Sequence, residues 1–142
     1  MTLNSAEQSY LTARPLGRLA TIAPDGSPQN KPVGFSWNAG LGTIDIYGFS
    51  MEQSQKFRNV AGDPRVAFVV DDAPGTGASG TRFLEIRGLA ETALGEATPE
   101  GGVSPQIIRI RPRRVISWNI DPAHPGLRAR DISADGERQD PA

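Results

Sequence analysis

Alternation of apolar and polar residues with a period of two dominates this chain, interrupted by short stretches of helical character. Residues 17–23 (GRLATIA) read as a strand, with Leu19 and the β-branched Thr21 and Ile22 in it. The run Pro24-Asp25-Gly26-Ser27 then predicts a tight turn, because Gly26 takes a positive φ at no steric cost. The chain returns over 29–37, where Val33, Phe35 and Trp37 alternate onto one face. Pro32 inside this run lacks a ladder donor, which places it at an edge, a bulge or a ligand-facing stretch. A second turn at 38–42 leads to a third strand over 43–48, with Ile44 and Ile46 facing one way.

The first helical signal is at the N-terminal end. Ser5 and Gln8 have capping-box spacing, Tyr10 and Leu11 supply apolar contacts, and Arg14-Pro15 closes the helix. A second short helix is expected over 51–61, opened by Ser50 and Gln53 as a capping box and ending near Gly62. It presents Phe57 and Val60 to a core. Asp63-Pro64 turns the chain into 65–70, a strand so apolar that both its faces are expected to be covered. Residues 71–80, containing APGTGASG, read as a mobile loop able to cover a substrate; the Lys-Ser/Thr of a phosphate loop is missing. Residues 83–94 form the next strand, with Gly88 permitting a bend. After a loop at 95–102, a strand over 107–111 is ended by Pro112, and 114–120 is the last strand. From 121 onward the chain is polar, rich in proline and charge, and without periodicity. The expected organisation is one domain over 1–120 and a polar tail or dimer arm over 121–142. Six or seven strands with hairpin-length links and one inserted helix predict a mainly β fold, a small antiparallel barrel.

Composition narrows the chemistry. At 142 residues the chain is long enough for one domain with a real core. Fifteen Lys and Arg against 16 Asp and Glu give a net charge of −1, so nothing draws the whole chain to nucleic acid or an anionic membrane. Apolar runs such as 66–70 are too short to span a bilayer. With no cysteine there are no disulfides and no thiolate metal sites, and with no signal peptide a cytoplasmic location is expected. The single histidine, His124, lies between prolines in the polar tail, which removes histidine triads and histidine metal clusters.

The segment 50–58, SMEQSQKFR, carries the strongest candidate chemistry. A helix starting here offers free N–H groups and the positive end of a dipole, while Lys56 folds back toward the same point. Ser54, Gln55 and Lys56 thus form a candidate phosphate site. Arg109, Arg111, Arg113 and Arg114 alternate with apolar residues and read as a solvated strand face.

Three stretches, GRLATIAPDGSPQNKPVGF, SQKFRN followed by DPRVAFVVDD, and FLEIRGLAE, together resemble the split β-barrel flavin- and deazaflavin-binding oxidoreductases related to pyridoxamine 5′-phosphate oxidase. The run RIRPRRVISWNID is similar to the branch that uses the deazaflavin coenzyme F420, which includes reductases of dehydrotetracycline-type antibiotic precursors. The resemblance implies a homodimer with two cofactor sites. It implies that Asn30, Lys31, Pro32, Val33 and Gly34 lie along the flavin ring and that Gly48, Phe49 and Ser50 contact the ring or ribityl chain. Ser54, Gln55 and Lys56 would hold the phosphate, with the amides of Met51 and Glu52, and Trp118 would reach the cofactor from the second subunit. Gln55 stands where the oxidases have a basic residue, and Phe83 where they carry a glutamine; both departures point away from FMN. Arg18 and Arg58 are the cations near enough in sequence to compensate for the first. The arginines of 109–114 are candidates for the glutamate tail of F420.

The implied activity is hydride transfer from reduced F420 to a conjugated, enone- or quinone-like small molecule. No catalytic residue is assigned; Tyr47, Lys31, Ser36 and Arg87 are the candidate proton donors or charge stabilisers. The alternatives are an FMN-dependent oxidoreductase of the same fold and a non-catalytic carrier of a flavin, haem or tetrapyrrole.

Overall fold

The computed structural model describes residues 2–77, 80–95 and 102–133. Parts of the expected loops at 71–80 and 95–102, and the end of the tail from 134, lie outside the described residues. Helix α1 (Ser5–Thr12) is followed by strands β1 (Gly17–Ile22), β2 (Pro28–Asn38) and β3 (Thr43–Tyr47). A 3₁₀ turn (Met51–Gln53) and helix α2 (Gln55–Gly62) precede β4 (Arg65–Asp72), β5 (Arg82–Leu94), β6 (Gln106–Trp118) and β7 (Leu127–Asp131). The sheet order is β3-β2-β1-β4-β5-β6-β7, and a further antiparallel pairing of β3 with β6 closes the first six strands into a barrel. This is the mainly β, antiparallel barrel that the alternating pattern predicts, and the split barrel that the resemblance implies. No described helix is long and apolar enough to cross a membrane.

The barrel core is built from the inward half of each alternation. Leu19, Val33, Phe35, Ile44, Ile46, Phe68, Val70, Leu84, Ile86, Ile108, Ile110 and Val115 are all buried. The first turn forms as expected, with Gly26 at φ 87. The β4 expectation is met on one face only: Val66, Phe68 and Val70 are buried, while Ala67 and Val69 are half-exposed on the outer surface.

Three other expectations are corrected. The cap of α1 is Asn4 with Glu7, one residue ahead of the Ser5–Gln8 spacing. Pro112 does not end a strand. β6 runs through it, because residues 111–113 fall between the stretch paired with β3 (108–110) and the stretch paired with β7 (114–118). There the strand has β5 alone as neighbour, so a missing N–H removes no ladder bond on the second side. Lastly, β7 lies inside the stretch expected as a polar tail. Its segment LRARD has only Leu127 and Ala129 as apolar residues, neither of them buried, and ion pairs fasten it: Arg130 forks onto the buried Glu7 of α1 at 2.6 Å to each oxygen, and Asp131 pairs with Arg114.

Opposite Pro112 the β5–β6 register slips between Arg87 and Gly88. A Cβ at Gly88 would lie 2.3 Å from the Arg111 carbonyl oxygen, which is backbone and has nowhere to go. Gly88→Ala is therefore expected to lower stability by about 1–3 kcal/mol through overpacking. A denaturation midpoint that does not move would show that the bulge tolerates a side chain.

Candidate active site

The site begins with a gap in pairing. Residues 34–38 of β2 pair with β3, while 28–33 pair only with β1. The outer edge of that half-strand presents backbone N–H and C=O groups with no neighbouring strand. Pro32, in register with Arg18, sits on this open edge, where the lost donor costs nothing. Asn30, Lys31 and Pro32 are exposed there, while Val33 turns into the core. Gly34 marks the change of partner, and a Cβ on it would come within 3.2 Å of the Tyr47 ring.

Helix α2 packs beside this edge, but its start differs from the expected one. Ser50 adopts φ 49 and makes no side-chain cap, and the Met51 amide is taken by the Ser104 hydroxyl at 2.9 Å. The cap is Ser54, whose extended backbone lets its hydroxyl accept from the Phe57 amide. That hydroxyl also donates to the Met51 carbonyl at 2.6 Å. The amides of α2 without an intrahelical partner are consequently those of Gln55 and Lys56, its first two, while the Met51 amide is already taken.

Between the open edge and the helix start lies a cavity of about 270 Å³ lined by Leu19, Thr21, Gln29, Lys31, Pro32, Ser54, Gln55 and Lys56. Five of the residues expected to bind cofactor thus share one concavity. Lys56 is half-buried, and its pKa is held below the ordinary lysine value, first by burial and then by the like charge of Lys31. Among the described residues neither lysine has an ion-pair partner, although nine arginine–carboxylate pairs form. An ammonium whose protonation is disfavoured by a second nearby cation, set beside free helix amides, is the kind of arrangement that an anion relieves. The cavity is smaller than the ~300–1,000 Å³ that encloses a whole ligand of drug size.

Other expectations fare differently. The side-chain amide of Gln55 is committed at both ends, donating to Asn59 at 2.7 Å and accepting from Arg58 at 2.9 Å. Gly48, Phe49 and Ser50 form the turn after β3: the Gly48 carbonyl accepts from the Ser104 amide, and Phe49 bridges to Val103 and is 72 % exposed. Trp118 ends β6 between Phe83 of β5 and Leu127 of β7, and it does not line the cavity. Arg111 and Arg114 are half-exposed and paired with Glu91 and Asp131, as expected of a solvated strand face, but Arg109, paired with Asp45, is only 13% exposed and Arg113 has its Nε buried, so the solvated reading fails for these two. Arg18 is likewise paired with Asp71. Of the candidate proton donors, Tyr47 donates to the Phe35 carbonyl and Arg87 pairs with Glu85. Sequence reasoning missed Thr21 and Gln29 on the cavity wall. The signal for Thr21 was a polar residue two places after Leu19, on the same inward face of β1. Among the described residues no group of three His, Asp or Glu side chains could hold a metal.

A family model described as pyridoxamine 5′-phosphate oxidase matches residues 3–121. Over 147 aligned residues, 98% of this chain and 100% of the relative, the chain is 43% identical to a 5a,11a-dehydrotetracycline/5a,11a-dehydrooxytetracycline reductase of Streptomyces rimosus. A solved structure described as an F420 reductase shares 30% identity with a TM-score of 0.55, over 73% of this chain and 91% of that one. A conserved hypothetical protein of Mycobacterium tuberculosis superposes with a TM-score of 0.64 at 25% identity, over 83% of this chain and 86% of that one.

Proposed function

The chain belongs to the pyridoxamine 5′-phosphate oxidase family, and from that premise we propose that it is a reductase using reduced F420 to deliver hydride to a conjugated carbonyl compound of enone or quinone type. The observation that carries this reading is the pair Lys31 and Lys56, cations without carboxylate partners over a cavity at the start of α2. The full-length likeness to a dehydrotetracycline reductase supports both the reaction class and a polycyclic antibiotic intermediate as substrate. The likeness to an F420 reductase supports the deazaflavin over FMN.

F420, when bound, supplies the hydride-donating carbon; the protein binds, orients and screens. Lys31, Lys56 and the amides of Gln55 and Lys56 hold the phosphate. The open edge of β2 at 30–33 offers backbone donors and acceptors to the ring's polar edge, with Gly34 at its end where pairing with β3 begins. Gly48, Phe49 and Ser50 lie at the end of the neighbouring strand and contact the ring or ribityl chain. Negative charge that develops on the substrate oxygen is met by a donor or by solvent.

The homodimer is part of the proposal. The cavity is too small for a tricyclic ring, and the outer faces of β4 and β5 leave Ala67, Val69 and Leu89 half-exposed. A second copy covering such a surface completes the ring site and brings Trp118 to it. The whole assembly is read as a cytoplasmic enzyme.

The test is separate titration of the protein with F420 and with FMN, followed by turnover of reduced F420 across a panel of enones and quinones. F420 is expected to bind at least tenfold more tightly, and the reduced-deazaflavin absorbance to fall with some members of the panel. Tighter FMN binding with turnover of nicotinamide-supplied electrons would establish the FMN enzyme instead. Tight binding with no oxidation by any acceptor would establish a carrier.

A further inference from the structure

Behind the cavity wall is a polar group that the phosphate reading does not use. Asn59, on α2, is 2% exposed, and its whole amide is spoken for. Its Nδ2 donates to the Thr21 hydroxyl of β1 at 2.9 Å and to the Gln29 side-chain oxygen of β2 at 2.9 Å, while its Oδ1 accepts from Gln55 at 2.7 Å. Leucine would fill nearly the same volume and need no partner. A buried amide with both hydrogens and its oxygen engaged is directional: it fixes how far a helix sits along a strand and how it is rotated, which apolar contact leaves free.

The partners are placed to transmit that constraint to the cations. Lys56 and Asn59 are three positions apart, so they neighbour each other on the helix surface. Gln29 and Lys31 are two apart on β2 and share a face. The bond from Asn59 to Gln29 therefore ties the helix position next to one lysine to the strand position next to the other. Thr21 and Gln29 themselves form part of the cavity wall.

We infer that Asn59 is a positioning residue that sets the spacing of Lys31 and Lys56 and so the fit of the cavity to a phosphate. This rests on reading the cavity as the phosphate anchor. The probes are ribityl deazaflavin and its 5′-phosphate, which differ only in that group, and the readout is the dissociation constant of each. In Asn59→Leu the phosphate is expected to bind about tenfold more weakly while the ribityl compound stays within twofold. Thr21→Val keeps the shape of β1 and removes one acceptor; it is expected to shift the same ratio severalfold in the same direction, and it carries the test if the first variant does not fold. Equal weakening of both ligands, or of neither, in the folded variants overturns the inference, since general loosening of the fold does not select for phosphate. Lys56→Ala separates the two levels. If it leaves the preference for the phosphate intact, the anchor reading itself has failed; if it abolishes the preference while the Asn59 and Thr21 variants keep it, only the role of Asn59 has.

Discussion

Replacing Arg109 by methionine is expected to destabilise the protein by about 3–5 kcal/mol, the largest effect we assign to a single side chain. The Arg109 fork onto Asp45, at 3.0 Å to each oxygen, lies on the β3–β6 seam that closes the barrel. Both side chains are nearly out of water, at 13% and 12% exposed. Burial pushes the Asp45 pKa up; donation by Arg109, Asn38 and Thr43 outweighs it and holds the carboxyl below its ordinary value. Methionine keeps the packing of the arginine stem but removes the charge, leaving a carboxylate that burial now disfavours. The sign of the pH dependence follows. In the native protein the depressed pKa gives stability that is present above the unfolded value near 3.9 and lost as pH falls through the folded one. In the variant the folded pKa rises above the unfolded value, so the penalty is present at neutral pH and relieved by acid. Urea midpoints at pH 7 and pH 3 should show a gap between the two proteins that narrows in acid. A gap of the same size at both would mean that the seam is held by packing and not by charge.

The same seam shows what a sequence can and cannot disclose. Ile44, Ile46, Ile108 and Ile110 declare themselves as strand residues through alternation, and Gly26 declares its turn through its conformational freedom. These are local properties. That β3 pairs with β6 is a long-range fact, and with it comes the reading of Pro112. A proline ends a strand only where its N–H is wanted, and the gap between two neighbouring strands removes that demand. β7 was illegible for a related reason, since Arg130 gains its place from Glu7, 123 residues away. At the candidate site, Lys56 was legible as a cation near a helix start. The start itself was misplaced, because Ser50 and Ser54 offer the same chemistry and only the backbone at each decides which one caps. Asn59 gave no signal: its partners come from three elements, and no spacing along the chain brings them together.

Removing both cavity lysines should uncouple affinity from stability. Each charged hydrogen bond to a phosphate is worth about 1.5–3 kcal/mol, so Lys56→Ala alone is expected to weaken cofactor binding about 10–150-fold. Lys31→Ala with Lys56→Ala is expected to cost about 3–6 kcal/mol of binding if the two contributions add, which places the cofactor beyond ordinary micromolar titration. The unliganded protein should respond in the opposite sense. The two ammonium groups repel each other and one is partly stripped of water, so the native state carries them at a cost that a ligand offsets. The doubly substituted protein should unfold at the same temperature as the native one or higher. The depressed pKa of Lys56 adds a signature: cofactor affinity in the native protein should begin to fall at a pH below that at which an ordinary lysine, near 10.4, loses its proton. Calorimetric binding curves and thermal unfolding of the same four proteins, native, two single variants and double, decide the matter. A double variant that binds F420 as tightly as the native protein, or that loses binding only together with its fold, would mean that these lysines are structural cations and that the acidic end of the cofactor is held elsewhere.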